Sequence, residues 1–128
     1  MYDEPARSTR SWIAKFAHAF RGMKSGVRGQ SSFFVHFFAA AAAIVAGLVF
    51  QVTRVEWCLL SLVIAGVLVA EMFNSALEHL ARSIADKYDP HVGRALDIGS
   101  AAVLIAAACS AIVGLLIFGP RLLALVGW

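Results

Sequence analysis

The chain has 128 residues, of which 60% are hydrophobic and only 15% are Asp, Glu, Lys or Arg. Soluble domains average about 45–50% apolar and about 25% charged residues. Eleven cations and eight anions could barely cover a water-facing surface, so an ordinary soluble globule is excluded. The length permits one domain, read as residues 1–128, and excludes a two-domain enzyme with separate nucleotide and substrate halves.

In chain order, the first element is a helix over residues 9–28. At 100° per residue, Trp12, Ile13, Phe16, Phe20, Met23 and Val27 fall within an arc of about 100°. Arg10, Lys15, His18, Arg21, Lys24 and Arg28 occupy the rest of the circumference, and Ser8 or Thr9 can supply the N-cap. Such a basic amphipathic helix suits the cytoplasmic membrane interface, against anionic head groups. Two roles are open to it: a plain surface anchor, or one wall of a site for a phosphate-bearing ligand. Gly26 and Gly29 would loosen its end and allow a turn at Ser31.

Three runs without a charged side chain follow: Ser31–Thr53, Trp57–Ala70 and Ile98–Gly119. At 1.5 Å per residue the first and third extend roughly 33–35 Å, enough to cross a hydrocarbon core of about 30 Å. The middle run is shorter, but its helical pattern continues through Glu71, Asn74 and Glu78 to Ser83. Spans are therefore expected at about 32–51, 56–83 and 97–119, with Pro5, Pro90 and Pro120 outside them. The first apolar run starts near residue 33 and is long enough to span, so no secretory signal peptide is expected. Cys58 and Cys109 lie inside apolar runs and read as unpaired packing residues.

Orientation follows from the basic residues. Arg7, Arg10, Lys15, Arg21, Lys24 and Arg28 precede the first span, and Arg82, Lys87 and Arg94 lie between the second and third. The opposite side has only Arg54 and Arg121, in the Gln51–Glu56 turn and near the C-terminus. The positive-inside rule then puts the N-terminus and the second loop in the cytoplasm.

The second span carries the unusual feature. Glu71, Asn74, Glu78 and Arg82 project at about 0°, −60°, −20° and +20°, one face over three turns. An intramembrane carboxylate costs on the order of 2.5–3.5 kcal/mol even on insertion scales, so this stripe is either an interhelical polar clamp, with Arg82 bonding Glu78, or a functional site. The functional reading explains more. Asp97 is expected to open the third span, where an acidic residue in the first turn suits the helix dipole; it would lie level with the stripe. Gly99, Ser100, Ala101, Ala102, Ala106 and Gly114 make the third span rich in small residues, which permit close helix packing in lipid.

Three helices cannot enclose such a stripe and a ligand alone, which argues for a homo-oligomer with sites at subunit boundaries. Neither G-x-x-x-x-G-K-[ST] nor G-x-G-x-x-G is present, and nothing points to nucleic acid. His18, His36, His79 and His91 have no metal-ligand spacing and read as packing or interface residues.

The run Glu71-Met-Phe-Asn74-Ser75-Ala76-Leu77-Glu78, followed by Gly93-Arg94-Ala95-Leu96-Asp97-Ile98-Gly99-Ser100-Ala101-Ala102-Val103-Leu104, resembles the small prokaryotic diacylglycerol kinase family, which includes undecaprenol kinases. That family's pattern reads E-x-x-N-[ST]-A-[IL]-E, then a short loop, then A-K-D-x-[GA]-[SA]-A-A-V-L. Ala19-Phe20-Arg21-Gly22-Met23-Lys24 and Phe33-Phe34-Val35-His36 are also similar, and the likeness covers roughly residues 10–118.

The resemblance implies an all-α membrane protein, with an N-terminal amphipathic surface helix, three transmembrane helices and a homotrimeric assembly in the bacterial inner membrane. It implies an ATP- and magnesium-dependent kinase acting on a lipid hydroxyl at the cytoplasmic face. Glu71 falls at the family's catalytic carboxylate, a general base near the lipid hydroxyl, and Asn74 would orient lipid or phosphate beside it. Glu78 falls at the carboxylate that binds the magnesium on ATP, with Gln30 at a second metal position. His18, Gln30, Glu78, Arg82, Lys87, Tyr88, Asp89 and Asp97 would face ATP, and Glu71 with Ser100 the lipid. Phosphoryl transfer suits this set, because its catalysis is mostly positioning and neutralisation of phosphate charge.

Three residues depart from the family pattern. Gln30 replaces a Glu and offers an oxygen without charge. Leu96 replaces the Lys of the K-D pair, and Arg82 replaces an Asp, so a cation is expected to have moved from the third span to the second. Gly99-Ser100-Ala101-Ala102 and Asn74-Ser75-Ala76 look closer to the diacylglycerol branch, whereas His36 and the Gly114–Pro120 ending look closer to the undecaprenol branch. Besides an active lipid kinase, two other functions are consistent with the residues: a catalytically inactive family member binding lipid or nucleotide as a scaffold, and an unrelated membrane oligomer using Glu71 and Glu78 as titratable groups.

Overall fold

A computed structural model describes residues 11–27, 31–84 and 89–128. Four helices account for nearly all of them: α1 (Trp12–Val27), α2 (Ser31–Val49), α3 (Arg54–Ile84) and α4 (Pro90–Leu125). The 31 residues of α3 and the 36 of α4 are long and apolar enough to cross a membrane. α2 contributes a shorter apolar stretch, Phe33–Val49. At 1.5 Å per residue α3 and α4 are about 46 and 54 Å long, more than the hydrocarbon core needs, so their ends extend into the interface.

α3 and α4 pack along each other and form the backbone of the molecule, with α2 and α1 each laid against α3. Most apolar side chains face outward: Phe34, Phe38, Leu104, Ile105, Leu115 and Leu116 are all exposed. In water that surface would be untenable, whereas lipid tails or neighbouring copies satisfy it at no cost.

The turn between α2 and α3 is built from two complementary caps. Gln51 takes a left-handed conformation at φ 50°, and the Val52 amide donates back to the Gly47 carbonyl at 3.2 Å, closing α2 with a Schellman-type bond. Thr53 and Glu56 then open α3 reciprocally: the Thr53 amide donates to Glu56 Oε1 at 3.0 Å, and the Glu56 amide to Thr53 Oγ1 at 3.2 Å. This is a capping box, and it puts Glu56 inside α3 rather than in the expected Gln51–Glu56 turn. Val52, Leu60 and Ile117 are buried beneath it, flanked by Phe50, Trp57, Val113 and Phe118.

Three local expectations are corrected. α1 begins later than residue 9, because Ser11 supplies the cap: its Oγ accepts the Ala14 amide at 3.3 Å. Ser8 and Thr9 lie outside the described residues. α4 begins at Pro90, not near Asp97; Asp89 caps it by accepting the His91 amide at 2.8 Å, and proline is well placed at the first helical position, where its missing N–H has no intrahelical partner. Asp97 is therefore about two turns inside the helix, beyond the first-turn position expected for it. Pro120, expected to end the span, lies inside α4. Proline there removes one backbone bond, and beside it Arg121 donates to the Ile117 carbonyl at 2.6 Å and to both Glu56 carboxylate oxygens at 2.7 Å.

Candidate functional site

The polar stripe of α3 is the centre of the candidate site. Along one face, Glu71 and Ser75 are buried, Asn74 and Glu78 are half-buried, and Arg82 is exposed towards the helix end. Burial of Glu71 is nearly complete, with 4% of its surface exposed. A carboxylate in such a place requires a polar partner. One comes from α2: His36 Nε2 lies 2.9 Å from Glu71 Oε1. Sequence reasoning leaves His36 among the packing or interface histidines, since it stands 35 positions from Glu71 on an apolar run.

The next turn of α3 binds the surface helix. Ser75 Oγ donates to the Gly26 carbonyl at 3.1 Å, satisfying an acceptor near the end of α1. Gly26 is itself buried, and a Cβ there would fall 2.5 Å from Met72 Sδ. That close approach carries the basic helix onto the C-terminal half of α3, beside the stripe. A groove lined by Gly22, Met23, Gly26, Met72, Ala76 and His79 runs between the two helices.

α4 closes the other side at Gly99. A Cβ at that position would sit 2.6 Å from Asn74 Oδ1 and 3.0 Å from Leu77 Cδ1. The Asn74 amide is oriented by its own helix: Nδ2 donates to Glu78 Oε1 at 3.2 Å, one turn along. This leaves Oδ1 buried against α4 with no hydrogen-bond partner among the described residues. The rotated amide would set two oxygens against each other at Glu78, so the observed orientation is the one the carboxylate dictates.

The expected site residues divide into groups. Glu71, Asn74 and Glu78 come together on α3, with Asn74 and Glu78 bonded directly. His18 on α1, Arg82 on α3, and Asp97 and Ser100 on α4 are exposed. Asp89 caps α4. Gln30, Lys87 and Tyr88 lie outside the described residues. Among the described residues no group of three or more His, Cys, Asp or Glu side chains could hold a metal ion. Below His36, a narrow crevice lined by Ala39, Ala43, Val63, Val67, Ser110 and Gly114 runs between α2, α3 and α4.

The stripe thus offers a buried carboxylate with an imidazole partner, an amide tied to a second carboxylate, and a cationic helix alongside. Such a set can accept a proton from a hydroxyl and organise a phosphate. The whole chain can also be compared with known proteins. The family model described as prokaryotic diacylglycerol kinase matches residues 17–118. Undecaprenol kinase of Bacillus subtilis (strain 168) is 37% identical over 111 residues, covering 87% of this chain and 90% of that protein. Diacylglycerol kinase of Escherichia coli (strain K12) is 31% identical over 94 residues, covering 73% of this chain and 77% of its own length.

Proposed function

The chain belongs to the prokaryotic diacylglycerol kinase family and is a lipid kinase, and we propose that it transfers the terminal phosphoryl group of ATP to a lipid hydroxyl at the cytoplasmic membrane surface. The acceptor is undecaprenol or diacylglycerol, the lipids named for the two relatives. Undecaprenol is the first to test, because that relative is the more similar over more of the chain.

The observation that carries this reading is the burial of Glu71 against His36, at 2.9 Å, in an otherwise apolar bundle. A buried carboxylate held by a partner on another helix presents its remaining oxygen to a neighbouring hydroxyl in a fixed geometry, as a general base must. In the proposed reaction Glu71 accepts the hydroxyl proton as the lipid oxygen attacks the γ-phosphorus, and the bond from phosphorus to the bridging oxygen of ADP breaks. Asn74 orients the reacting groups, and its Glu78 bond keeps the amide in register. Ser100 faces the lipid.

Glu78 and Gln30 would hold the magnesium ion that arrives on ATP. A site with one carboxylate fits that ion, which keeps several waters and is held largely by nucleotide phosphates; bound there, it neutralises phosphate charge. His18, Arg82 and Lys87 supply positive or hydrogen-bonding groups to the nucleotide, with Tyr88, Asp89 and Asp97 around it. Arg82 stands in for the cation that Leu96 removes.

In this reading α2, α3 and α4 all span the bacterial plasma membrane, and the N-terminus is cytoplasmic. α1 is an amphipathic helix lying in the interface, which its exposed Trp12, Ile13, Phe16 and Phe20 support. The outward apolar faces of α2 and α4 support a homotrimer, in which neighbouring copies complete each site. Purified protein in mixed micelles with labelled ATP, magnesium and either lipid tests the proposal. Label in the lipid, lost in Glu71→Gln, supports it. Nucleotide binding without transfer would favour an inactive scaffold, and neither binding nor transfer would point to an unrelated membrane oligomer.

A further inference from the structure

His36 reaches the Glu71 carboxylate from another helix, α2. Its side chain is 21% exposed and that of Glu71 is 5% exposed, so water does little to screen the contact. At 2.9 Å between Nε2 and Oε1 the two side chains are within hydrogen-bond distance, and a carboxylate oxygen there accepts from an imidazole that carries its proton on Nε2. A charge-assisted bond of this kind is short and directional. It crosses from α2 to α3, at the head of the crevice between Ala39, Ala43, Val63 and Val67.

We propose that His36 is a positioning residue for Glu71: it donates its Nε2–H to Oε1 and holds the carboxylate in the rotamer that meets the lipid hydroxyl. The proposal rests on the reading of Glu71 as the general base. The reason for such a device lies in the side chain itself. A glutamate has three rotatable bonds, and the terminal one is broad and weakly restrained. Intrahelical packing cannot choose the carboxylate plane, whereas a hydrogen bond from a second helix can. The cost of a misplaced reacting group is steep, about a hundredfold in rate for a shift of 1 Å. His36 contributes no charge transfer and touches neither ATP nor the γ-phosphate. Its effect is confined to the geometry of the base.

The test compares native protein, His36→Leu, His36→Gln and Glu71→Gln in mixed micelles with labelled ATP, magnesium and undecaprenol. Leu retains apolar bulk without a donor, and the Gln amide can place an N–H close to the position of Nε2. The expected result is a fall in kcat of about ten- to a hundredfold for His36→Leu, with the KM for ATP within about twofold of native. His36→Gln is expected to recover most of that loss. A His36→Leu enzyme with native kcat overturns the proposal, as does a His36→Gln enzyme as slow as His36→Leu. A second measurement does not depend on the variants folding: 15N spectra of histidine-labelled native protein at neutral pH are expected to show a proton on His36 Nε2. A bare Nε2 with the proton on Nδ1 overturns the proposal. Activity retained in Glu71→Gln, or none in native protein, would instead refute the functional reading and this proposal together.

Discussion

Gly99→Ala adds a single methyl where α3 and α4 meet, and its effect on the site can be worked from the distances. The new Cβ would fall 2.6 Å from Asn74 Oδ1 and 3.0 Å from Leu77 Cδ1, whereas ordinary contact begins at 3.4 Å. The leucine methyl can rotate aside. The amide must retreat by about 0.8 Å, and its Nδ2 is already committed to Glu78 at 3.2 Å. Either that bond breaks or α4 lifts from α3. Overpacking of this kind costs about 1–3 kcal/mol, against which the gain of Ala over Gly in a helix interior is about 1 kcal/mol. Displacing Asn74 by nearly 1 Å is expected to lower kcat about ten- to a hundredfold and to raise the KM for ATP through Glu78. Initial rates in mixed micelles with varied ATP, alongside thermal unfolding in the same detergent, read both effects. Gly66→Ala is the internal control, because a Cβ there meets nothing within 4 Å; it should match or exceed native stability and leave the rate alone. A Gly99→Ala enzyme that behaves like Gly66→Ala would refute the view that α4 sets the position of Asn74.

Ser75→Ala removes the donor to the Gly26 carbonyl and should cost about 1–2 kcal/mol, the range for an unmet buried acceptor in a membrane bundle; hydrogen exchange at the end of α1 should rise, and unchanged protection would show that the bond does not hold α1. Arg121→Leu breaks the bidentate pair with Glu56 and the bond to the Ile117 carbonyl; the melting temperature should fall, with kcat of the folded enzyme unaltered because Glu56 lies about 22 Å along α3 from Glu71. Arg82→Ala should raise the KM for ATP severalfold while leaving the lipid KM near native. An unchanged KM for ATP would show that Arg82 does not replace the cation missing at Leu96.

The helical architecture and the core of the site were legible because both leave periodic marks in the sequence. Charge-free runs gave the apolar helices, and the spacing of three and four between Glu71, Asn74 and Glu78 put those groups on one face without any knowledge of the fold. What the sequence could not show were pairs brought together by the fold itself. His36 meets Glu71 across 35 positions, and Arg121 meets Glu56 across 65. No local rule connects them. The start of α4 is hidden in the sequence for a different reason: a proline ends helices more conspicuously than it begins them, and Asp89-Pro90 is a cap followed by a first-position proline. Pro120 lies inside α4 next to the Arg121–Glu56 pair, although its ring removes one helical bond. The small residues of α4 mark a close contact, but it is the fold that brings Gly99 against the Asn74 side chain in particular.

The most direct test of Glu71 as the base is phosphoryl transfer by Glu71→Gln, which keeps the size and hydrogen-bonding reach of the side chain and removes its basicity. Folded Glu71→Gln protein, verified by its melting curve and by retained ATP binding, is predicted to transfer label from ATP to undecaprenol or diacylglycerol at least a hundredfold more slowly than native protein, in line with the typical contribution of a positioned general base. Transfer at the native rate by that variant would contradict the assignment of Glu71 as the group that takes the hydroxyl proton.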